Sequence, residues 1–395
     1  MKPIIATASA RGTDPANVAG KLAGALKSQL QDKTPALLMI FASVEQNLAE
    51  LQPAVQTLFP QTTILGSTTA GEFTERGESQ GAVVAWALSG DFQIDARIGL
   101  GLSDNLESII EKMVRGLADP REGYPHHTAL ILLDPLSGNA EEATLLASAL
   151  LGENVRLAGG AAADGLAMKK TWVGLGSQVE SNAVVIAVIH SKTPIGIGVC
   201  HGHTPLSDPL KVTRAEKNVV YEIQGKPAWQ AWTEATAARV VELGIDISNL
   251  TTSEEVFDYL NRFEAGLKLG DEYKVRVPMA KGDDGSLHFA CGIPENTVLR
   301  VMESVNSRQI ESAREAVRRS RGNLGAHEIA GAVVFDCSCR KTILKDEFGA
   351  AVEAMREELG GAPLAGFETY GEIAMEIGEM SGFHNTTTVV VTFGR

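Results

Sequence analysis

At 395 residues the chain is long enough for two domains of ordinary size, and its 44% apolar content supplies sizeable cores. A formal charge of −14 excludes a surface built for nucleic acid or an anionic membrane, which needs clustered Lys and Arg. Four scattered cysteines exclude a disulfide scaffold, the N-terminus lacks the apolar core of a signal peptide, and no apolar run approaches the ~20 residues that span a bilayer, so a soluble cytoplasmic protein is expected.

Residues 4–10 read as a strand, after which Asp14 and Pro15 open a helix to Leu30, Asp as N-cap and Pro in the first turn. The unbroken apolar run 36–42 (ALLMIFA) fits a strand buried on both faces, and a second helix ends at Pro60. A strand at 62–65 leads into a Gly-rich loop, and 81–88 is another strand. The same order recurs as strand 92–102, helix 105–117, strand 129–133, helix 140–151, strand 155–157, Gly-rich loop 159–165 and strand 183–189. A third copy reads as strand 297–303, helix 308–321, strand 332–335, helix 346–359, a short apolar step at 363–365 and strand 388–393. The segment from about 195 to 293 does not fit the repeat. It holds a Ser253-capped helix and a hairpin turning at Asp283, Asp284 and Gly285. Prolines gather at its start, which places a domain boundary there. The expected fold is α/β: two domains, 1–210 with two repeat units and 211–395 with the linking segment and a third, built on mixed sheets with internally duplicated β-α-β-α-β-β units.

The first loop, GSTTAGE from Gly66 to Glu72, returns as GFETYGE from Gly366 to Glu372, with Gly, Thr, Gly and Glu at the same offsets. In the middle copy the leading Gly is Gly159, the Thr has become Ala162 and the acid, Asp164, falls one position early. Either the loop is a duplicated turn whose Thr and Glu bond nearby N–H groups, or it is a duplicated ligand loop. On the second reading Ser67, Thr68, Thr69 and Glu72 face Thr369, Tyr370 and Glu372 across a cleft and hold an amine-bearing or polar small molecule, with His384 and Asn385 close by. An enzyme using Ser67, Thr68 or Thr69 as nucleophile and Glu72 as base is an alternative, although established catalytic and phosphate-loop signatures are missing. His201 and His203 flank Gly202; on a strand both rings would share a face, where they could bind a metal or haem iron, or simply bond loop backbone. Cys337 and Cys339 likewise share one face of a strand, as two small buried residues.

These motifs resemble the FIST proteins. The N-terminal likeness rests on Phe41, Ala42 and Ser43, the Gly66–Phe73 stretch, Ala158 to Gly160, Pro205 and Leu206, Val212 to Arg214 and NVVYEIQGKPA from Asn218; the C-terminal likeness rests on Cys339 and Arg340, Pro363 to Glu372 and Phe383 to Thr388. The resemblance implies a sensory, signal-transducing role rather than catalysis, with amino acids as proposed ligands and a histidine kinase or cyclic-di-GMP enzyme as partner on a separate chain. A stand-alone subgroup of similar size binds haem and senses nitric oxide, which makes haem the most concrete ligand expected, with an amino acid or similar polar metabolite as its rival.

Overall fold

The computed structural model describes residues 2–375 and 382–395. Three α/β units follow one another. The first has strands Ile4–Ala10, Leu37–Ser43, Thr63–Thr69 and Val83–Ser89 and helices Pro15–Gln29 and Leu48–Leu58. Leu37–Ser43 is buried at every position and lies parallel to Thr63–Thr69, the crossover helix between them covering one face. Val83–Ser89 lies antiparallel between Leu37–Ser43 and Ile4–Ala10. The second unit repeats this plan with strands Phe92–Leu100, His126–Leu133, Val155–Ala161 and Ala183–Ser191, and the third with Ile195–His201, Ile329–Cys337, Leu364–Thr369 and Thr387–Gly394.

No unit completes its own sheet. The hairpin that follows each loop crosses to a neighbour. Glu72–Thr74 and Gly77–Ser79 extend the third unit beside Leu364–Thr369; Val173–Leu175 and Gln178–Glu180 extend the first beside Thr63–Thr69; Glu372–Met375 and Phe383–His384 extend the second beside Val155–Ala161. The exchange closes on itself, and its registers correspond: Glu72 pairs with Phe367, Val173 with Ser67 and Glu372 with Gly160. The three sheets turn their inner faces onto one shared core containing Phe41, Trp86, Leu130, Phe335, Phe367 and Phe393, with the Phe41 and Phe367 ring centroids 4.7 Å apart. Burying each such ring stabilises the fold by roughly 1.5–3 kcal/mol. The helices cover the outer faces in three separate clusters. The fold is thus α/β with mixed sheets and internal duplication, as expected. No helix among the described residues is long and apolar enough to cross a membrane.

The third unit begins earlier than its sequence pattern indicated. Its first strand is Ile195–His201, paired antiparallel with Thr387–Gly394, and not 297–303. Residues 203–304 are an insertion between that strand and the helix Asn306–Gly322; Val298–Ser304 runs through the insertion's own nine-stranded sheet. The alternating glycines of this strand have a packing purpose. A Cβ on Gly196 would lie 2.0 Å from the Ser320 carbonyl oxygen, and one on Gly198 2.1 Å from that of Ala316. Only bare backbone lets the helix seat on this strand. In the insertion, helix Ser253–Arg262 is capped by Thr252, one residue before the expected Ser253, with Glu255 completing a capping box. Cys337 and Cys339 do not share a strand: Cys337 ends Ile329–Cys337, and Cys339 lies in the first turn of helix Ser338–Leu344.

Candidate functional site

The three loops meet where the hairpins cross over. Ala70 N–H donates to the Glu368 carbonyl and Glu368 N–H to that of Gly71; Ala161 N–H donates to Gly371 and Tyr370 N–H to Ala161; Ala163 N–H donates to Thr68. Each loop is therefore pinned to the next unit by backbone hydrogen bonds. The duplicated glycines provide room rather than turns, since none of the four has positive φ. A Cβ on Gly71 would fall 2.5 Å from Glu368 Oε1, and one on Gly371 2.2 Å from the Phe383 ring.

Within each intact loop Thr and Glu bond to one another. Thr69 Oγ1 donates to Glu72, whose other oxygen accepts from Ala82 N–H at 3.4 Å. Thr369 Oγ1 donates to Glu372 Oε1 at 2.5 Å, and Glu372 Oε2 accepts from Thr387 N–H at 3.1 Å and Thr387 Oγ1 at 3.0 Å. Burial pushes the Glu72 carboxyl up to about 7 and the Glu372 carboxyl up to about 8. Ser67 Oγ donates to the Thr68 carbonyl at 2.9 Å, and Thr68 Oγ1 accepts from Trp172 N–H at 3.0 Å. All these side chains are buried, so none of the hydroxyls proposed as nucleophiles opens onto solvent. The two loops do not oppose each other across a cleft; each carboxyl folds onto its own turn. The middle copy also differs from its sequence reading: Val173 holds the Glu72 register, and Asp164 opens an inserted stretch, 164–172.

Glu372 does have the neighbours foreseen for it. It pairs in register with His384, whose Nε2 donates to the Ala374 carbonyl at 3.0 Å, and Asn385 Nδ2 donates to the His384 carbonyl at 3.0 Å. Burial pushes His384 down to about 3. The next residue, Thr386, donates to Glu264 of the insertion at 2.8 Å. Glu264 is fully enclosed, its carboxyl held well above the usual range by burial, and its second oxygen has no hydrogen-bond partner. Sequence reading missed Glu264 and Glu368. Glu368 sits between the Thr69 and Thr369 turns with its carboxyl pushed up to about 8 by burial, and its place in the repeat (Gly, Phe, Glu, Thr) was its one visible signal.

His201 and His203 do not fit haem. They stand on strands of different sheets, His201 opposite Thr387 and His203 opposite Ser304, with ring centroids 6.0 Å apart. His201 Nε2 donates to the Tyr273 carbonyl at 2.8 Å and its Nδ1 accepts the His203 N–H at 3.2 Å, so both ring nitrogens are taken. The His203 side chain is wholly buried, with Gln309 Nε2 at 3.3 Å from Nδ1 and Glu264 at 3.7 Å from Nε2. Its desolvation holds it well below the usual imidazole range. Among the described residues no group of three or more His, Cys, Asp or Glu side chains is placed to hold a metal ion.

The junction of the insertion with the third unit contains a pocket of about 300 Å³. It is lined by Asp258, Asn261 and Arg262 of helix Ser253–Arg262 and Ser304 from the insertion, and by Thr342 and Lys345 from the third unit. Asn261 is buried; its Nδ2 donates to the Cys339 carbonyl at 3.1 Å, while its Oδ1 has no partner. Leaving such a group unpaired costs about 1–3 kcal/mol. Lys345 Nζ reaches Asp258 at 3.5 Å across the rim, and its backbone, with φ of 51° and ψ of −119°, is strained for a residue with a side chain. Behind the wall, Ser304 Oγ accepts from Gln309 at 2.7 Å, Gln309 accepts from Arg340, and Arg340 Nε donates to Asp336 at 2.8 Å. Asp336 in turn accepts from Thr388 at 2.7 Å. This fully buried network links Ser304 of the insertion to the third sheet. A larger depression of about 500 Å³ beside Arg115 and Leu150, on the outer helices of the second unit, has no buried polar side chain in its lining.

The FIST N domain model matches residues 36–226 and the FIST C domain model residues 237–375. An uncharacterized protein of Methanocaldococcus jannaschii is 24% identical over 168 residues, 42% of this chain; the match spans 33% of that relative's length. The crystal structure of a cyanuric acid hydrolase from A. caulinodans matches over 100% of both chains, with a TM-score of 0.35 and 10% identity, and carries no inference at that distance.

Proposed function

The chain belongs to the FIST family, whose domains are sensory signal-transduction modules that bind small ligands, and from that premise we propose that it senses a zwitterionic metabolite of the amino-acid class in the pocket between the insertion and the third unit. One observation carries the reading: a pocket of about 300 Å³ walled by both bodies, with the buried amide residue Asn261 in its lining and charges of both signs at its rim. Arg262 and Lys345 suit a carboxylate, and Asp258 an ammonium group. The exposed Lys345–Asp258 pair that closes the rim is worth at most about 1 kcal/mol, so a ligand displaces it at little cost. A ligand that touches both walls favours the arrangement that brings them together, and that difference is the signal. A separate chain, a histidine kinase or cyclic-di-GMP enzyme, reads it.

Haem-based nitric oxide sensing has less support, because the two histidines put forward for it are committed to internal hydrogen bonds or wholly enclosed. Thermal-shift assays across the amino acids, alongside absorption spectra of protein produced with haem supplied, separate the readings. The proposal expects a shift of melting temperature with at least one zwitterion and no Soret band. A Soret band at full occupancy and no shift with any amino acid would overturn it.

A further inference from the structure

We infer that the inserted stretch 164–172 of the second unit is a docking tip for an acidic, amphipathic segment of a partner protein. The other two units have no counterpart: Glu72 and Glu372 follow their loops at once, whereas Val173 reaches the same register only after this insertion. The tip is held rigidly. The Asp164 carboxylate accepts backbone N–H bonds from Met168 at 2.8 Å, Lys169 at 2.6 Å and Lys170 at 2.9 Å, and a hydroxyl bond from Tyr370 at 2.5 Å. Gly165 N–H is fixed to the Thr69 carbonyl at 3.2 Å.

That cage holds two apolar side chains out in water. Leu166 is 56% exposed and Met168 51% exposed, and their φ angles are 69° and 51°. Each residue thus breaks two rules of stability at once, since side-chain-bearing residues disfavour positive φ and large apolar groups favour burial. Asn or Gly would relieve both. Side chains that the fold pays to display in this way are contact groups. Val44, 49% exposed, adjoins them, its Cγ2 lying 3.7 Å from where a Cβ on Gly165 would sit.

The adjoining charge selects the partner. Lys169 and Lys170 are exposed beside the apolar pair, and Lys170 Nζ lies 4.1 Å over the Trp172 ring. Rigid apolar anchors ringed by lysines complement a segment with both apolar and acidic side chains. An anionic bilayer is a poorer fit: it sets a broad anionic face against a chain whose formal charge is −14, whereas a short acidic segment meets only the tip.

Selection of a random peptide library displayed on phage against the full chain tests this. Enriched sequences combining Asp or Glu with apolar residues are expected. Their affinity is expected to fall about tenfold or more for Leu166→Asn with Met168→Asn, and for Lys169→Glu with Lys170→Glu. The Asn pair suits positive φ, and an unchanged or higher melting temperature shows that it folds. Failure to enrich such sequences, or binding indifferent to both double variants, overturns the proposal. So does cosedimentation with phosphatidylserine vesicles, or a concentration-dependent dimer, that both double variants abolish, since the tip would then serve a membrane or a second copy.

Discussion

Tyr370, on the third unit's loop, donates its phenolic hydroxyl to Asp164, on the second unit's, at 2.5 Å. Burial works against charge on Asp164, but this bond and three backbone amides outweigh it and hold the carboxyl below its usual range. Two residues from Tyr370, Glu372 packs toward the insertion through the Thr386–Glu264 contact. The inserted tip, the third loop and the insertion are therefore joined by polar contacts at Tyr370, Glu372 and Thr386 and the short stretches of chain between them.

Tyr370→Phe removes one hydrogen bond to an ionised group and leaves the ring in place. The expected loss is about 1–2 kcal/mol in urea unfolding, with faster amide exchange at Met168, Lys169 and Lys170. Unchanged exchange at those amides would mean that Asp164 cages the tip without Tyr370.

The first strand of the third unit is testable through its glycines. Gly196→Ala and Gly198→Ala each drive a methyl group into helix backbone and are expected to cost about 3 kcal/mol or more, or to abolish soluble expression. Gly20→Ala, in the interior of helix Pro15–Gln29 with nothing within 4 Å, is the control, expected to stabilise by about 0.5–1 kcal/mol.

The buried carboxyls make stability fall with rising pH. Glu372 and Glu368 sit at about 8 and Glu72 at about 7 in the folded chain, against 4.5 when unfolded. Between those values the unfolded chain has released protons that the folded chain keeps, so their contribution is complete below 4.5 and is lost as pH rises through 7 to 8. The buried histidines, lowered from 6.5, act in the opposite sense but only below that value. Urea midpoints at about pH 7 and about pH 8 read chiefly the carboxyls, because the buried thiols, also raised, differ from the unfolded chain only as pH nears 9. Wild type is expected to lose stability over that step and Glu372→Gln to lose less; an equal loss in both would place the effect elsewhere.

Leu166→Asn alone is expected to raise stability by about 0.5–1 kcal/mol, because Asn tolerates positive φ and solvent better than Leu. Differential scanning calorimetry reads the change, and a lowered melting temperature would show that Leu166 packs within the fold.

Much of each unit was legible because strands buried on both faces read as unbroken apolar runs, as in LLMIFAS at Leu37–Ser43, and because Asp14 and Pro15 announce a helix. The recurrence of Thr and Glu in the loops was legible as a repeated spacing, but not that the two side chains bond to each other. What joins the units was not. Glu72–Thr74 pairs with Leu364–Thr369 across nearly the whole chain, and periodicity carries no information about a strand's partner. Ile195–His201 was hidden by glycines needed for helix contact and by the insertion that separates it from the rest of its unit. The pocket draws Asp258 with Asn261, Ser304, and Lys345 from three places in the sequence, none of them part of a motif.

The most direct test of the sensing account is calorimetric titration of the zwitterion found by thermal shift into wild type, Ile343→Trp and Asp258→Asn. Ile343 lines the pocket, and an indole there fills it. The account predicts saturable binding to wild type, none to Ile343→Trp and binding weakened about tenfold or more by Asp258→Asn, with both variants folded. Wild-type affinity retained in Ile343→Trp would contradict it.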